Sequence, residues 1–173
     1  MSIDKKLNDL QKFAEKFLLE NYGIDFNIDI TINNRLSRSL GRYVWYRSGN
    51  KLPKVEVSRK LMKYGHDDVV MGVLKHELIH YALHKLNKPY KDGQTYFENE
   101  LKKHNAPSTD YYYNLGEGAI VSCNSCNNET ITFNKSAMRN FNNYRTKCCK
   151  SGLTHIGDVE SDGINISKKY FVK

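Results

Sequence analysis

Residues 69–84 read VVMGVLKHELIHYALH and place the pattern His-Glu-x-x-His inside an apolar helical run. Histidines four residues apart lie on one face of a helix, one turn apart, so the imidazoles of His76 and His80 can reach a single metal ion. Glu77 follows the first histidine and can act as general base on a water molecule that the metal activates. The pattern therefore predicts a helix that supplies two metal ligands and a catalytic base.

The third metal ligand is missing from this pattern. A catalytic zinc ion takes three protein ligands and keeps one position open for water. His84 is a poor candidate because its backbone lies about 12 Å along the helix axis from that of His76, and it is expected to lie at the surface or to contact a ligand. Four residues that follow the helix are better candidates, namely Asp92 in an Asp-Gly turn and Glu98, Glu100 and His104 on the next predicted helix.

The periodicity of apolar residues predicts a small sheet and several helices around this central helix. The central helix is expected over about 67–86, because Asn87-Lys88-Pro89 follows it. A further helix is expected from Thr95, which has capping-box spacing to Glu98. The other expected elements are a helix over 4–22, strands over 26–32, 42–47 and 55–57, and a short helix over 58–62.

The composition indicates a basic, water-soluble chain. It has 173 residues, a formal net charge of +8 and a mean hydropathy of −0.66, which suggest one domain or one domain with a small appendage. The N-terminus lacks the apolar run of a secretory signal, and no segment approaches the length that spans a bilayer. A cytoplasmic location without a membrane partner is therefore expected, and the oligomeric state stays open.

Basic residues concentrate in two segments that contain no acidic residue. Residues 31–54 contain six arginines and lysines, and residues 134–150 contain five, interleaved with two aromatic residues. Solvated basic faces are the ordinary interpretation, but this mixture is also typical of sequence-tolerant nucleic-acid binding. The nucleic-acid candidates are Lys135, Arg139, Phe141, Tyr144, Arg145 and Lys147, and the run Tyr111–Tyr113 fits either base stacking or packing between two modules.

All four cysteines lie in the last third of the chain, which in a cytoplasmic protein predicts a metal site before disulfides. Cys123-x-x-Cys126 is one half of a zinc knuckle. The other half is expected about twenty residues on, where Cys148 and Cys149 are adjacent, so that their side chains should diverge and Cys148 has the weaker case. A structural zinc ion is favoured, bound by all four cysteines or by three and His155, over a module without metal.

Several separate stretches of the chain resemble the SprT-like family of zinc metallopeptidases. They read NRL (34–36), LGRY (40–43), VEVS (55–58), HELIHY (76–81), Phe97 and KKHNAP (102–107), and the segment from Cys149 to Leu153 is similar to the end of the family's zinc ribbon. The resemblance implies an α+β fold. It would have a zincin-like peptidase domain, in which a small sheet packs on helices that carry His-Glu-x-x-His, followed by a C-terminal zinc ribbon.

The resemblance also implies a third histidine a few residues before Phe97, in the context Tyr-Lys-His. This chain has Tyr90-Lys91-Asp92 there. A carboxylate is a legitimate zinc ligand, so Asp92 is the first choice to complete the site of His76 and His80. Because a carboxylate lowers the net charge of the site by one, the water at the metal should be less acidic and hydrolysis slower.

These observations predict a domain organisation and a function. The predicted parts are a peptidase domain over 1–110, a linker over 111–118, a zinc-ribbon-like module over 119–157 and a polar tail over 158–173. The predicted function is a zinc-dependent endopeptidase with a catalytic and a structural zinc ion. By resemblance, its protein substrate is bound or crosslinked to DNA. The alternative function is a catalytically impaired relative that serves as a nucleic-acid-binding module.

Overall fold

The computed structural model describes residues 3–47, 52–109 and 113–171, and it divides the chain into two compact units. The first unit comprises residues 1–63 and 67–112, and the second comprises residues 64–66 and 113–173. Helices and small sheets are mixed along the chain, so the α+β class is confirmed. Among the described residues, none of the helices combines the length and the apolar composition that a membrane span requires.

In the first unit, a three-stranded sheet accompanies the helices. The helices are α1 (Ile3–Tyr22), α2 (Arg59–Tyr64), α3 (Asp67–Lys85) and α4 (Thr95–Lys103), and the strands are β1 (Asp29–Asn33), β2 (Gly41–Val44) and β3 (Lys54–Ser58). The middle strand β3 pairs in parallel with β1 and antiparallel with β2, so β2 forms an edge of the sheet as described. The helices match their predictions closely. The first strand is shorter than predicted, because Phe26 and Ile28 are buried before ladder pairing begins.

The central helix α3 is buried along most of its length. Leu74, Leu78 and Ile79 are completely buried, and α3 contacts α1, α4 and β2. Val55 and Val57 of β3 are also completely buried. The His-Glu-x-x-His segment therefore lies in the helix of this unit with the most buried residues among those described.

The first turns of α2 and α4 differ in their capping. The Ser58 hydroxyl accepts a hydrogen bond from the N–H of Leu61 at 3.1 Å, which caps α2. Helix α4 begins at Thr95 as predicted, but the N-cap is Gln94 and its side chain makes no capping bond. The predicted capping box is therefore wrong. The Glu98 carboxylate accepts instead from the N–H of Gly93, outside the helix.

The second unit is built on a four-stranded antiparallel sheet in the order β5-β4-β6-β7. Its strands are β4 (Leu115–Cys123), β5 (Glu129–Thr132), β6 (Leu153–Asp162) and β7 (Ile166–Tyr170). A short helix α5 (Lys135–Arg139) and a 3-10 turn (Phe141–Asn143) lie between β5 and β6.

The ranges predicted as linker and polar tail contribute strands to this sheet. β4 begins at Leu115, inside the range 111–118, and β6 and β7 occupy most of the range 158–173. Every residue of β7 is exposed, so its composition resembles that of a tail even though it pairs with β6. The sheet thus extends beyond the range 119–157 on both sides. Tyr111 and Tyr112 lie outside the described residues.

One buried carboxylate joins the strands of the first unit. Glu56 on β3 is only 4% exposed and accepts hydrogen bonds from the side chains of Asn33 on β1, at 2.8 Å, and Arg42 on β2, at 2.6 Å. The ammonium group of Lys54 lies 2.7 Å from its other oxygen. Burial by itself raises the pKa of Glu56, but the bonds from Lys54, Asn33 and Arg42 outweigh it and lower the pKa to about 2.

The substitution Glu56→Gln should lower the free energy of unfolding of this unit by up to about 3 kcal/mol near neutral pH. A carboxylate whose pKa is lowered on folding stabilises the fold above its unfolded pKa, 4.5 for Glu56, and this contribution disappears as the pH falls towards 2. The difference between wild type and variant should therefore shrink over this range. Urea titrations followed by the fluorescence of Trp45, the only tryptophan, measure it.

Glu20→Gln is the matched control for this experiment. Glu20 pairs with Lys16 at 3.8 Å, and both side chains are largely exposed, so its loss should cost at most a few tenths of a kcal/mol (~0.5). An effect of Glu56→Gln that stays constant between neutral pH and pH 2 would contradict the assignment.

Candidate metal centres

The two histidines of α3 are oriented by backbone carbonyl groups. His76 Nδ1 lies 2.9 Å from the carbonyl oxygen of Pro107, and His80 Nδ1 is hydrogen-bonded to the carbonyl oxygen of Tyr90. A carbonyl oxygen only accepts, so each Nδ1 must carry a proton, and each neutral ring then presents Nε2 as a lone pair. Such contacts set the tautomer and the ring direction of metal-binding histidines.

Asp92 forms a triangle of ligand atoms with these two nitrogens. Its Oδ1 lies 3.3 Å from His76 Nε2 and 3.2 Å from His80 Nε2, and the two Nε2 atoms are 3.2 Å apart. Tetrahedral coordination with bonds of about 2.0–2.1 Å separates ligand atoms by about 3.3 Å. The triangle therefore has the dimensions of a three-ligand site, and this group could hold a metal ion.

The electrostatics of the triangle favour a cation at its centre. When both imidazoles are neutral, three lone pairs face one another with no proton between them. When the rings carry a second proton, on Nε2, they donate hydrogen bonds to Asp92 and hold its pKa far below its usual range. Burial lowers the pKa of His76, but the bond to Asp92, the charge of Glu77 and the bond to Pro107 together outweigh it and raise that pKa. The site thus gathers positive charge, either as protons or as a metal ion, and metal binding should release protons.

Glu77 is buried beside the triangle and is held by the edge strand β2. Its Oε2 accepts a hydrogen bond from the backbone N–H of Tyr43 at 2.7 Å. Gly41 permits this approach, since a Cβ there would lie 2.8 Å from both Cγ and Oε1 of Glu77. Burial raises the pKa of Glu77, although His76 and His80 oppose the shift. A carboxylate with raised proton affinity next to two candidate ligands suits a general base.

Two of the candidates from the sequence, Glu100 and His104, lie outside the triangle, as does His84, which was expected not to bind the metal. The Glu100 carboxylate accepts a hydrogen bond from the Tyr22 hydroxyl at 3.0 Å, and the His104 ring packs 5.2 Å from that of Phe17, so both face α1. His84 Nδ1 lies 2.9 Å from the Tyr43 hydroxyl, away from the metal ligands.

Glu98, the remaining candidate, ties the Asp92–Gly93 turn to the segment after α4. Its carboxylate accepts hydrogen bonds from the N–H of Gly93 at 3.2 Å, from the Ser108 hydroxyl at 3.1 Å and from the Thr109 hydroxyl. The Thr109 oxygen also lies 3.1 Å from Asp92 Oδ1. The sequence analysis did not identify Ser108 and Thr109 as neighbours of the site. Nothing in the local pattern indicates that these two hydroxyl groups contact Glu98 on the preceding helix.

A groove of about 410 Å³ is lined by the candidate metal ligands and by Glu77. One wall is β2 with its flanking residues, and the other is the segment 90–92. The two histidines and Glu77 form its floor. The arrangement can therefore bring an elongated ligand to the candidate metal ligands and the candidate base.

The four cysteines converge at one end of the second unit. Their Sγ atoms all lie within 4.8 Å of one another, and those of Cys126 and Cys148 are 3.6 Å apart. Zinc–thiolate bonds of about 2.3 Å in a tetrahedron separate sulfur atoms by about 3.8 Å, so this group could hold a metal ion. His155 lies outside the cluster, with Nε2 at 2.9 Å from the carbonyl oxygen of Gly157 and 3.0 Å from Asp158.

Two tight turns bring the thiol groups together. Asn127 and Lys150 each follow a cysteine and adopt a left-handed backbone, with φ of 57° and 53°. The N–H of Lys150 bonds the carbonyl oxygen of Thr146 at 3.1 Å, which closes the turn that contains both adjacent cysteines. A hydrogen bond with the Thr146 hydroxyl lowers the pKa of Cys123 and so favours the thiolate form that zinc binds.

The nucleic-acid candidates fall into two groups. Lys135, Arg139 and Lys147 are exposed. The second group contacts neighbouring residues. In it, Arg145 donates to the carbonyl oxygens of Asn142 and Tyr144, each at 2.8 Å. The other two members, Phe141 and Tyr144, are half-buried, and the Phe141 ring lies 5.0 Å from that of His155. The first group is open to solvent, whereas the second also serves the local fold.

Comparisons with known proteins agree on one family. The model described as "SprT-like family" matches residues 7–111. The "Protein SprT-like" of Bacillus subtilis is 31% identical over 155 residues, which are 86% of this chain and 96% of the relative. The proteins of the same name from Bacillus velezensis and Bacillus cereus are 38% and 34% identical over 99 and 100 residues, 57% of this chain and only 62% of each relative. No solved structure matches the chain.

The substitution Thr109→Val removes a hydroxyl group that lies 3.1 Å from Asp92 Oδ1. It should lower the metal affinity of the first unit about 10- to 100-fold, because this contact no longer positions the Asp92 carboxylate. Thr109→Ser keeps the hydroxyl and should keep the affinity. Ser108→Ala, which removes a hydroxyl that bonds Glu98, is the matched control. Titration with Co²⁺ separates this site from the cysteines, since only thiolates give charge-transfer absorption. Equal affinities of Thr109→Val and wild type would contradict a role of Thr109 in positioning Asp92.

Cys148→Ser should weaken metal binding in the second unit and reduce the Co²⁺–thiolate absorption per bound ion by about a quarter, because one of four thiolates is lost. His155→Gln should leave the absorption unchanged, since His155 bonds Asp158 and Gly157. The reverse result, loss with His155→Gln and none with Cys148→Ser, would assign the fourth ligand to the histidine.

Proposed function

Because this chain belongs to the SprT-like family, we propose that it is a zinc-dependent endopeptidase with a zincin-like first unit. One observation carries the proposal. The Nε2 atoms of His76 and His80 and Oδ1 of Asp92 are separated by the edge length of a zinc tetrahedron, and Glu77 lies buried beside them. Two imidazoles, one carboxylate and an open position for water are a known donor set of catalytic zinc.

The residues of the chain have distinct roles in the proposed hydrolysis. Bound zinc would supply Lewis acidity, which polarises the peptide carbonyl and lowers the pKa of water. Glu77 takes the proton from the attacking water and delivers it to the leaving amine. The N–H of Tyr43 holds one oxygen of Glu77, so that the other is the one that exchanges the proton. Pro107 and Tyr90 keep the two imidazoles aimed at the metal through their carbonyl groups.

The edge strand β2 is suited to hold an extended peptide. The carbonyl of Leu40 bonds β3 through Ser58, whereas the N–H of Tyr43 points to Glu77. Even-numbered residues of β2 therefore pair with β3, and the backbone groups of Gly41 and Tyr43 face away from it. A peptide that adds a strand at this edge would pass over Glu77 and the two histidines.

We assign a structural zinc ion to Cys123, Cys126, Cys148 and Cys149 of the second unit. The exposed side chains of Lys135, Arg139 and Lys147 support contact of this unit with DNA, and substrates would then be proteins associated with DNA. The alternative function is a nucleic-acid-binding module without hydrolysis, which the carboxylate in place of a histidine ligand favours. Zinc counting separates the two, since two ions per chain support the enzyme and one ion supports the module.

The variant Glu77→Gln should keep its zinc and lose cleavage by at least about 100-fold, because it removes the general base and none of the ligands. Casein and histones, each with and without DNA, are suitable substrates, with fragments mapped by mass spectrometry and zinc counted by atomic absorption. Glu20→Gln on the exposed face of α1 is the control. Cleavage that persists in Glu77→Gln would overturn the proposed mechanism.

A further inference from the structure

We propose that the groove contains a subsite for an aromatic or large apolar side chain of the peptide substrate, formed by Trp45, Tyr90 and His84. The inference rests on the proposed peptidase function and specifies the class of peptide that this site accepts. It concerns a part of the groove that supplies neither a candidate metal ligand nor the candidate base.

The rings of Trp45 and Tyr90 line this part of the groove, and the ring of His84 contacts both of them. The rings of His84 and Tyr90 are stacked with centroids 4.5 Å apart, and the Trp45 ring lies 4.9 Å from that of His84. The Tyr43 hydroxyl contacts His84 Nδ1 at 2.9 Å, which holds the imidazole between the two larger rings. Burial lowers the pKa of His84, so the ring is uncharged near neutral pH and adds to an apolar surface.

The subsite opens into the groove, because Trp45 and Tyr90 both line it and 40% of Trp45 is exposed. An exposed tryptophan next to a stacked aromatic pair leaves apolar surface that a ligand ring can cover by stacking or edge contacts. The rest of the groove is polar, with Ser39 and Thr109 among its lining residues. Discrimination between side chains should therefore concentrate at the aromatic end.

The distance from the metal ligands determines which substrate residue reaches the subsite. His84 lies one helical turn beyond His80, about 6 Å along the axis of α3. An extended peptide advances about 3.3 Å per residue, so about two residues separate the carbonyl above the histidines from the side chain above His84.

The direction of β2 determines on which side of the cleaved bond that residue lies. β2 runs from Gly41, which abuts Glu77, towards Trp45, which contacts His84. An antiparallel peptide at this edge runs the opposite way and passes Trp45 before it reaches Glu77. For a peptide bound antiparallel to β2, the subsite therefore receives the side chain two residues before the cleaved bond.

Peptide binding can be measured without cleavage in the zinc-loaded variant Glu77→Gln. A set of labelled extended peptides carries Phe, Leu, Ala or Asp at one scanned position, and anisotropy gives each dissociation constant. Phe or Leu two residues before the bond should bind about tenfold more tightly than Asp. Because Trp45 is the only tryptophan, its emission should change with these peptides. Cleavage by the wild type, mapped by mass spectrometry, should show the same preference.

When Trp45→Ala is added to the Glu77→Gln variant, the preference for Phe or Leu over Asp should disappear. When Trp45→Phe is added instead, much of the preference should remain. Tyr46→Ala is the matched control, since Tyr46 is 38% exposed and does not line the groove. Two results would overturn the subsite and leave the peptidase function intact. In the first, peptides bind and are cleaved with no preference at this position. In the second, the preference persists in Trp45→Ala. A zinc-loaded protein that neither binds nor cleaves any peptide would overturn the peptidase function together with the subsite.

Discussion

Two backbone carbonyl groups orient the candidate metal ligands of the first unit. Those of Pro107 and Tyr90 accept from Nδ1 of His76 and His80, and they thereby turn both Nε2 lone pairs towards Asp92. Without them each imidazole could rotate or change tautomer, and the pattern His-Glu-x-x-His would be two polar side chains on a helix. Because these carbonyl groups belong to the loops before and after α4, the candidate metal site depends on how that helix packs against α3.

A carboxylate as the third candidate ligand changes the balance of charge at the site. Asp92 stands where the resemblance to the family implies a histidine, and it brings a negative charge to two neutral imidazoles. A carboxylate is also shorter and freer to rotate than an imidazole, so its position depends on neighbouring residues. Thr109 and Glu98 supply such neighbours, since they connect the Asp92–Gly93 turn to the segment after α4. This network would hold the Asp92 carboxylate in place beside the two imidazoles when a metal ion binds.

Local sequence patterns predict the elements well where one face of an element is buried. The helices around α3 and the family resemblance are confirmed, because apolar spacing and motif residues are local properties of the chain. The strand β7 was not predicted, because an exposed edge strand has the composition of a polar tail and is defined only by its hydrogen bonds to β6. The capping box at Thr95 failed for a related reason, because Glu98 bonds a neighbouring turn rather than its own helix.

The residues alone establish a helix with two histidines and a glutamate, a family, and a group of four cysteines that suits a metal. Together with the family resemblance, they make Asp92 the first choice among four possible third ligands without deciding it, and they leave both Cys148 and His155 open. Those choices depend on distances between residues far apart in the chain, such as the 3.2 Å from His80 to Asp92 and the 3.6 Å from Cys126 to Cys148. A ligand set is a property of converging atoms, and only the packing of helices and the reversal of tight turns bring those atoms together.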